Sequence, residues 1–212
     1  MFTENDFVRS RHVFHSEAFA EIIKDTIRFF NGTPIQHLPP SENFIGAGVY
    51  ALYYTGNSPY YVPLYVKNRI NFVQPIYVGK AVPRGWRQAR CQEPANELYL
   101  RLCDHFRSIN KAVNLEVRDF HCRFMILEDA AADMIGTVES ALIREYMPVW
   151  NSAVDGFGNH APGSGRYMQA RSDWDVLHPG REWASRCKGA AHTIGEVEQV
   201  VSDYFRKRNE RH

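Results

Sequence analysis

Residues Asn43–Gln92 read NFIGAGVYALYYTGNSPYYVPLYVKNRINFVQPIYVGKAVPRGWRQARCQ. Gly48-Val49-Tyr50 opens an apolar run to Tyr54 that reads as a strand, and Pro75 to Val82, with Tyr77-Val78-Gly79-Lys80 inside it, reads as a second. Between them Thr55-Gly56-Asn57-Ser58-Pro59 marks a turn. Tyr60 to Val66 reads as an extra strand that Pro63 pushes to an edge. Arg84 to Pro94 reads as a polar loop. The whole stretch lacks Asp and Glu, although 24 of the 212 residues are acidic, and it carries Lys67, Arg69, Lys80, Arg84, Arg87 and Arg90. Cations neutralise phosphates and phenols hydrogen-bond to them, so such a surface suits a polyanion. A solvated basic face has the same composition.

The bulk numbers sharpen this. A chain with 44% hydrophobic residues and 13% aromatics can build a core without covalent staples. Its net charge of +1 excludes a uniformly basic nucleic-acid binder, so anion binding has to come from segregated charge. The four cysteines, Cys91, Cys103, Cys122 and Cys187, and the nine histidines show no metal-ligand spacing. No signal peptide or membrane-length apolar run is present, so reduced thiols and a cytoplasmic location are expected.

Outward from the two Tyr motifs, Ser16 caps a predicted helix from Glu17 to Phe30, and Asn31-Gly32 ends it. Leu98, Leu102, Phe106 and Ile109 give a helix over Asn96 to Lys111 its buried stripe. Val117 to Leu127 alternates as a strand, with Phe120, Cys122, Phe124 and Ile126 on one side. A second core helix runs from Asp129 to Tyr146 and buries Ile135, Val138 and Leu142. Gly156 to Gly165 is a loop leading into a second acid-free span with His160, Arg166 and Arg171. A last amphipathic helix starts near Thr193. The core is therefore strand, strand, helix, strand, helix, an α+β arrangement.

Polar residues fall on inward-facing positions of that core. Glu139 lies beside Ile135 and Leu142 on the inward stripe of its helix. A buried carboxylate needs an Arg, a Lys or a metal ion opposite it. Arg101 and His105 are one turn apart and project from the same side of the preceding helix. A structural ion pair and a satisfied core histidine would explain each residue alone. Together with Tyr50, Tyr77 and Lys80 they form a tool set for cutting a phosphodiester. Glu139 can hold a divalent cation through oxygen, Arg101 can clamp a phosphate oxygen, and a phenol or imidazole can manage the proton of an attacking water.

The order Gly48-Val49-Tyr50, Tyr77-Val78-Gly79, Arg101, His105, Glu139, Asn151 resembles the GIY-YIG nuclease superfamily over roughly residues 45–152. The resemblance implies a small three-stranded antiparallel sheet flanked by helices. The two Tyr motifs stand farther apart than is usual in that family, so residues 55–74 look like an inserted β segment. With an N-terminal helical extension (1–44) and a C-terminal extension (153–212) that embraces DNA or supports the core, the chain looks like the type II restriction-endonuclease branch. That implies a homodimer cutting a short palindrome, GC-rich given the surplus of Arg over Lys, since Arg pairs bidentately with guanine. It also implies Mg²⁺, with Mn²⁺ as a substitute. In this resemblance Glu139 is the metal ligand and Arg101 the phosphate clamp. Tyr50 helps deprotonate water, Tyr77 and His105 position the water or phosphate, and Asn151 closes the site. Lys80 would lower the Tyr50 pKa or hold the water. Lys67, Arg69, Asn71, Gln74, Arg84, Arg87, Gln88, Arg90, His160, Arg166 and Arg171 are the expected DNA contacts.

Two other readings share this core. A repair or mobile-element nuclease usually carries a separate DNA-binding domain, and the stretch after Asn151 leaves little room for one. A non-catalytic DNA-binding module would be expected to lack Glu139 or Arg101. A nuclease with an acidic residue two places before a Lys is disfavoured, because no Asp or Glu in the chain is followed two residues later by Lys.

Overall fold

The computed structural model describes residues 7–83, 85, 95–161, 163 and 167–210. Its centre is an antiparallel sheet in the order β1 (Gln36–His37), β4 (Phe120–Ile126), β2 (Gly48–Tyr54), β3 (Tyr77–Ala81). The three long strands are those expected, except that β4 starts later than expected, because Val117–Asp119 form a 3-10 turn before it. The fourth, β1, is a two-residue addition from the connector that pairs with His121 and Cys122. β2 pairs on both sides, with β3 and with β4, and every one of its residues is buried. A strand covered on both faces needs no polar alternation, which is why its sequence is a continuous apolar and aromatic run.

The two faces of β2 feed two cores. Tyr50, Leu52 and Tyr54 join Leu98, Leu102 and Ile109 of α3 (Glu97–Lys111) on one side. Trp150 of α5 (Val149–Ser152), Trp174 of α6 (Asp173–Leu177) and Val197, Val201 and Phe205 of α7 (Ile194–Asn209) complete that core. Val49, Ala51 and Tyr53 join Phe30 of α1 (Glu17–Gly32) and Ile135, Val138 and Leu142 of α4 (Ile135–Tyr146) on the other. The sheet is thus a middle layer between helices. α1 begins at Ser16, whose hydroxyl accepts from the Phe19 amide, and α7 begins with a capping box between Thr193 and Glu196.

One expected element is wrong. Tyr60–Val66 is not a strand: Pro59–Tyr61 form a 3-10 turn and Val62–Asn71 form a helix, α2. Pro63 stands in its first turn, where no amide donor is required and its fixed φ suits the helix. Leu64 and Asn68, one turn apart, are its buried positions. Asn68 donates to the carbonyls of Tyr54 and Gln74 and accepts from the Gln74 amide, which splices α2 between β2 and β3. The insertion is therefore helical, not β. The second core helix also starts later than expected, because Asp129–Met134 form a 3-10 segment before α4.

Candidate active site

β3 is an edge strand, and the candidate residues gather along it. Tyr50 on β2 lies directly across from Gly79 on β3. A Cβ at Gly79 would stand 2.4 Å from the Tyr50 hydroxyl and 2.9 Å from the Tyr77 ring. Glycine is needed there because the phenol lies over its backbone. Gly48 is needed for a similar reason: a Cβ would stand 2.1 Å from the Met125 carbonyl on β4. The two Gly positions of the motifs are therefore set by close approach across the sheet.

The Tyr50 hydroxyl and His105 Nε2 share a hydrogen bond of 2.5 Å. Both groups are buried, and burial decides their protonation. It pushes the Tyr50 phenol well above its ordinary value, with neighbouring Tyr77 adding to the rise and Arg101 opposing it. It pushes the His105 imidazole well below its ordinary value, and Arg101, His160 and Arg181 act in the same direction. At neutral pH the pair is a protonated phenol against a neutral imidazole. The Tyr77 phenol, also raised by burial, borders both rings, with centroids 6.2 Å from Tyr50 and 5.3 Å from His105.

Arg101, one turn before His105 on α3, is half-buried. Its Nη2 donates to the Gly158 carbonyl at 2.9 Å and its Nη1 to His160 Nε2 at 2.6 Å. His160, expected as a DNA contact, thus meets the site's guanidinium directly. Phe157 of the same loop stacks on His105, with centroids 4.5 Å apart and an interplanar angle of 17°. A Cβ at Gly158 would stand 2.7 Å from the Tyr77 hydroxyl.

Glu139 reaches the site from α4. Its side chain is 18% exposed, so it is partly rather than wholly buried, and Lys80 Nζ donates to its Oε2 at 2.6 Å. The cation required opposite the carboxylate is therefore Lys80. This corrects the expected role of Lys80 toward Tyr50: the ammonium is engaged with Glu139, and burial leaves the Tyr50 phenol raised rather than lowered. Asn151 Oδ1 accepts from the Val78 amide and its Nδ2 donates to the Val78 carbonyl, both at 2.8 Å. The side-chain amide thus takes the place of a further strand at the edge of β3.

The expected DNA contacts divide. Gln74 is buried, donates to the Tyr146 carbonyl and accepts from Arg208, so its amide is spent inside the protein and cannot read a base. Arg69 and Asn71 are exposed on α2, and Arg171 is exposed before α6. Lys67 lines a 460 Å³ cavity with Gln74, Tyr146 and Arg208, and burial lowers its pKa. Arg84, Arg87, Gln88, Arg90 and Arg166 lie outside the described residues. Among the described residues Cys103, Cys122 and Cys187 are free thiols, and no group of three or more His, Cys, Asp and Glu could hold a metal. No helix among them is long and apolar enough to cross a membrane.

Residues 42–205 match the family model described as the Eco29kI GIY-YIG domain. The chain belongs to that family. It is a family of restriction endonucleases, so the protein is a GIY-YIG nuclease acting on DNA. No curated protein matches the chain. The match runs past Asn151 to Phe205 and so takes in the loop that bears Gly158 and His160 as well as α6 and most of α7.

Proposed function

We propose that this GIY-YIG nuclease is a type II restriction enzyme that hydrolyses both strands of a short, GC-rich palindrome. The observation that carries the reading is the buried Tyr50–His105 hydrogen bond beside Arg101, with Lys80 of the edge strand β3 paired to Glu139 of α4. This set has a proton acceptor, a phosphate clamp and a carboxylate. Arg101 presents a planar fork to the non-bridging phosphate oxygens. Tyr50 takes a proton from the attacking water as its own proton passes to neutral His105. Tyr77, partly exposed beside them, orients the water.

Glu139 fits a divalent cation. One oxygen is held by Lys80, and among the described residues its Oε1 makes no hydrogen bond. Mg²⁺ is commonly held by one or two carboxylates together with water and phosphate oxygens, so a single carboxylate suffices. When bound, such a cation stabilises charge on the phosphate and the leaving oxygen. Asn151 keeps β3, and with it Tyr77 and Lys80, in register.

One chain offers one such set, so cutting two strands in one encounter calls for a homodimer about a two-fold axis shared with the palindrome. Exposed Arg69, Asn71 and Arg171, with the arginines of 84–92, are the side chains proposed to read or grip the DNA. The test is digestion of plasmid DNA with Mg²⁺ or Mn²⁺, followed by sedimentation on a duplex bearing the site. Discrete fragments and two chains per duplex are expected. Smears or nicks would point to a repair-type nuclease, and tight binding without cleavage to a non-catalytic module.

A further inference from the structure

The residues around the Gly156–His160 loop form a second, buried charge centre that the sequence did not single out. Arg181 is 4% exposed and Asp175 is 2% exposed. Arg181 Nε donates to Asp175 Oδ1 at 2.6 Å. Ser172 Oγ donates to the other Asp175 oxygen at 2.7 Å, so the carboxylate is itself fixed. The rest of the guanidinium is spent on one loop. Nη2 donates to the Gly156 carbonyl at 2.9 Å, and Nη1 donates to the carbonyls of Phe157 at 3.1 Å and Asn159 at 3.2 Å. The Trp174 and Trp183 rings flank the guanidinium, at 4.4 Å and 4.8 Å.

That same loop is the wall of the nuclease site. Phe157 stacks on His105, Gly158 offers its carbonyl to Arg101 and packs on the Tyr77 hydroxyl, and His160 accepts from Arg101. The carbonyls of Gly156, Phe157 and Asn159 point toward Arg181 and that of Gly158 accepts from Arg101. The loop is therefore held between two guanidinium groups. We infer that the Asp175–Arg181 pair is a positioning device for the nuclease site: by fixing the Gly156–His160 loop it aims Arg101 and holds His105 against Tyr50.

A buried ion pair is weak evidence for a role in stability, since apolar replacements are often neutral. The geometry explains why this one is an Arg. A single planar fork reaches a carboxylate and three backbone carbonyls at once, and an ammonium cannot. The consequence for cleavage rests on the nuclease reading; the consequence for Arg101 does not. Misplacing a catalytic group by about 1 Å costs on the order of a hundredfold in rate.

The test has two readouts on Arg181→Lys. In protein labelled with ¹⁵N-arginine, the side-chain signals of Arg101, assigned with Arg101→Lys, report whether its guanidinium is held. Wild-type protein should give separate Nη signals from restricted rotation. Arg181→Lys should merge them while thermal unfolding stays cooperative. Single-turnover cleavage at saturating duplex should then fall roughly ten- to a hundredfold, with DNA affinity largely retained. Unchanged Arg101 signals in the folded variant overturn the inference, as do altered signals with a wild-type rate. Should Arg181→Lys fail to fold, Asp175→Asn keeps the shape, removes the anchoring charge and is scored in the same way. Wild-type protein that cuts no DNA would count against the nuclease reading and leave the arginine signals to decide the positioning role.

Discussion

Tyr50→Phe removes a single oxygen from a side chain that is wholly buried, and its consequences separate chemistry from folding. The ring stays, so its packing against Gly79 and in the core should survive. His105 Nε2 loses its 2.5 Å partner while remaining 2% exposed as a residue. A buried acceptor left without a partner costs about 1–3 kcal/mol, or roughly 2–12 °C in melting temperature for a chain of this size. The protein should therefore fold, with a lower but cooperative thermal transition. Catalysis should suffer far more. If Tyr50 relays the water proton to His105, single-turnover cleavage should fall about 10²- to 10⁴-fold. Because the two side chains would act as one unit, adding His105→Ala to Tyr50→Phe should cost little beyond the single change. Rapid-quench cleavage of a saturating duplex, with circular dichroism on the same samples, measures both effects. A folded Tyr50→Phe protein that cuts at the wild-type rate would refute the relay and move the proton acceptor elsewhere.

Three further outcomes are expected. Arg101→Lys should be nearly as inactive in cleavage assays as Arg101→Ala, with a loss on the order of 10²-fold or more, because an ammonium cannot make the two parallel bonds of a guanidinium; substantial activity with Lys would reduce Arg101 to a general positive charge. Gly79→Ala should lower both stability and cleavage, since its Cβ would stand 2.4 Å from the Tyr50 hydroxyl, and overpacking of this kind costs about 1–3 kcal/mol; a melting temperature equal to wild type would mean that β3 yields freely. Acid should destabilise the protein through its buried histidines. Burial lowers the pKa of His178 to about 3 and depresses His105 as well, so below pH 6.5 the unfolded chain takes up protons that the folded chain refuses. Their stabilising effect is complete above pH 6.5 and is lost as pH falls toward the folded values, at about 1.4 kcal/mol per pH unit for each histidine. Melting curves between pH 7.5 and 4.5 should show the fall, and His178→Gln should flatten it.

Much of the core could be read from the chain because its signals are local. β2 and β4 announce themselves by composition and alternation, and α3 by its apolar stripe. Glu139 stood out as a carboxylate on an apolar helical face, and the structure supplies the cation that position demanded. What escaped depends on partners distant in sequence. The helix at Val62–Asn71 looked like a strand because Tyr60–Val66 is short, aromatic and β-branched, and only the seating of Asn68 against Tyr54 and Gln74 settles its form. Gln74 looked like a base reader because nothing nearby reveals that Arg208 and the Tyr146 carbonyl claim its amide. Arg181 gave no signal, since neither period nor spacing links it to Asp175 or to the carbonyls of 156–159. The same holds for the buried chain in which Trp150 donates to the Tyr61 hydroxyl, Tyr61 donates to His178 Nε2, and His178 Nδ1 donates to Asn114. That chain ties the insertion and the C-terminal segment to the core, and burial keeps its His178 neutral.

The most direct test of the proposed nuclease centre is a comparison of wild-type protein with Glu139→Gln on plasmid DNA in Mg²⁺, with a gel-shift assay on the same preparations. The amide keeps the shape of Glu139 and is a poor ligand for a hard cation. Discrete fragments from the wild type, none from Glu139→Gln, and similar DNA binding by both are expected. Near wild-type cleavage by a folded Glu139→Gln protein would contradict the assignment and remove Glu139 from the site.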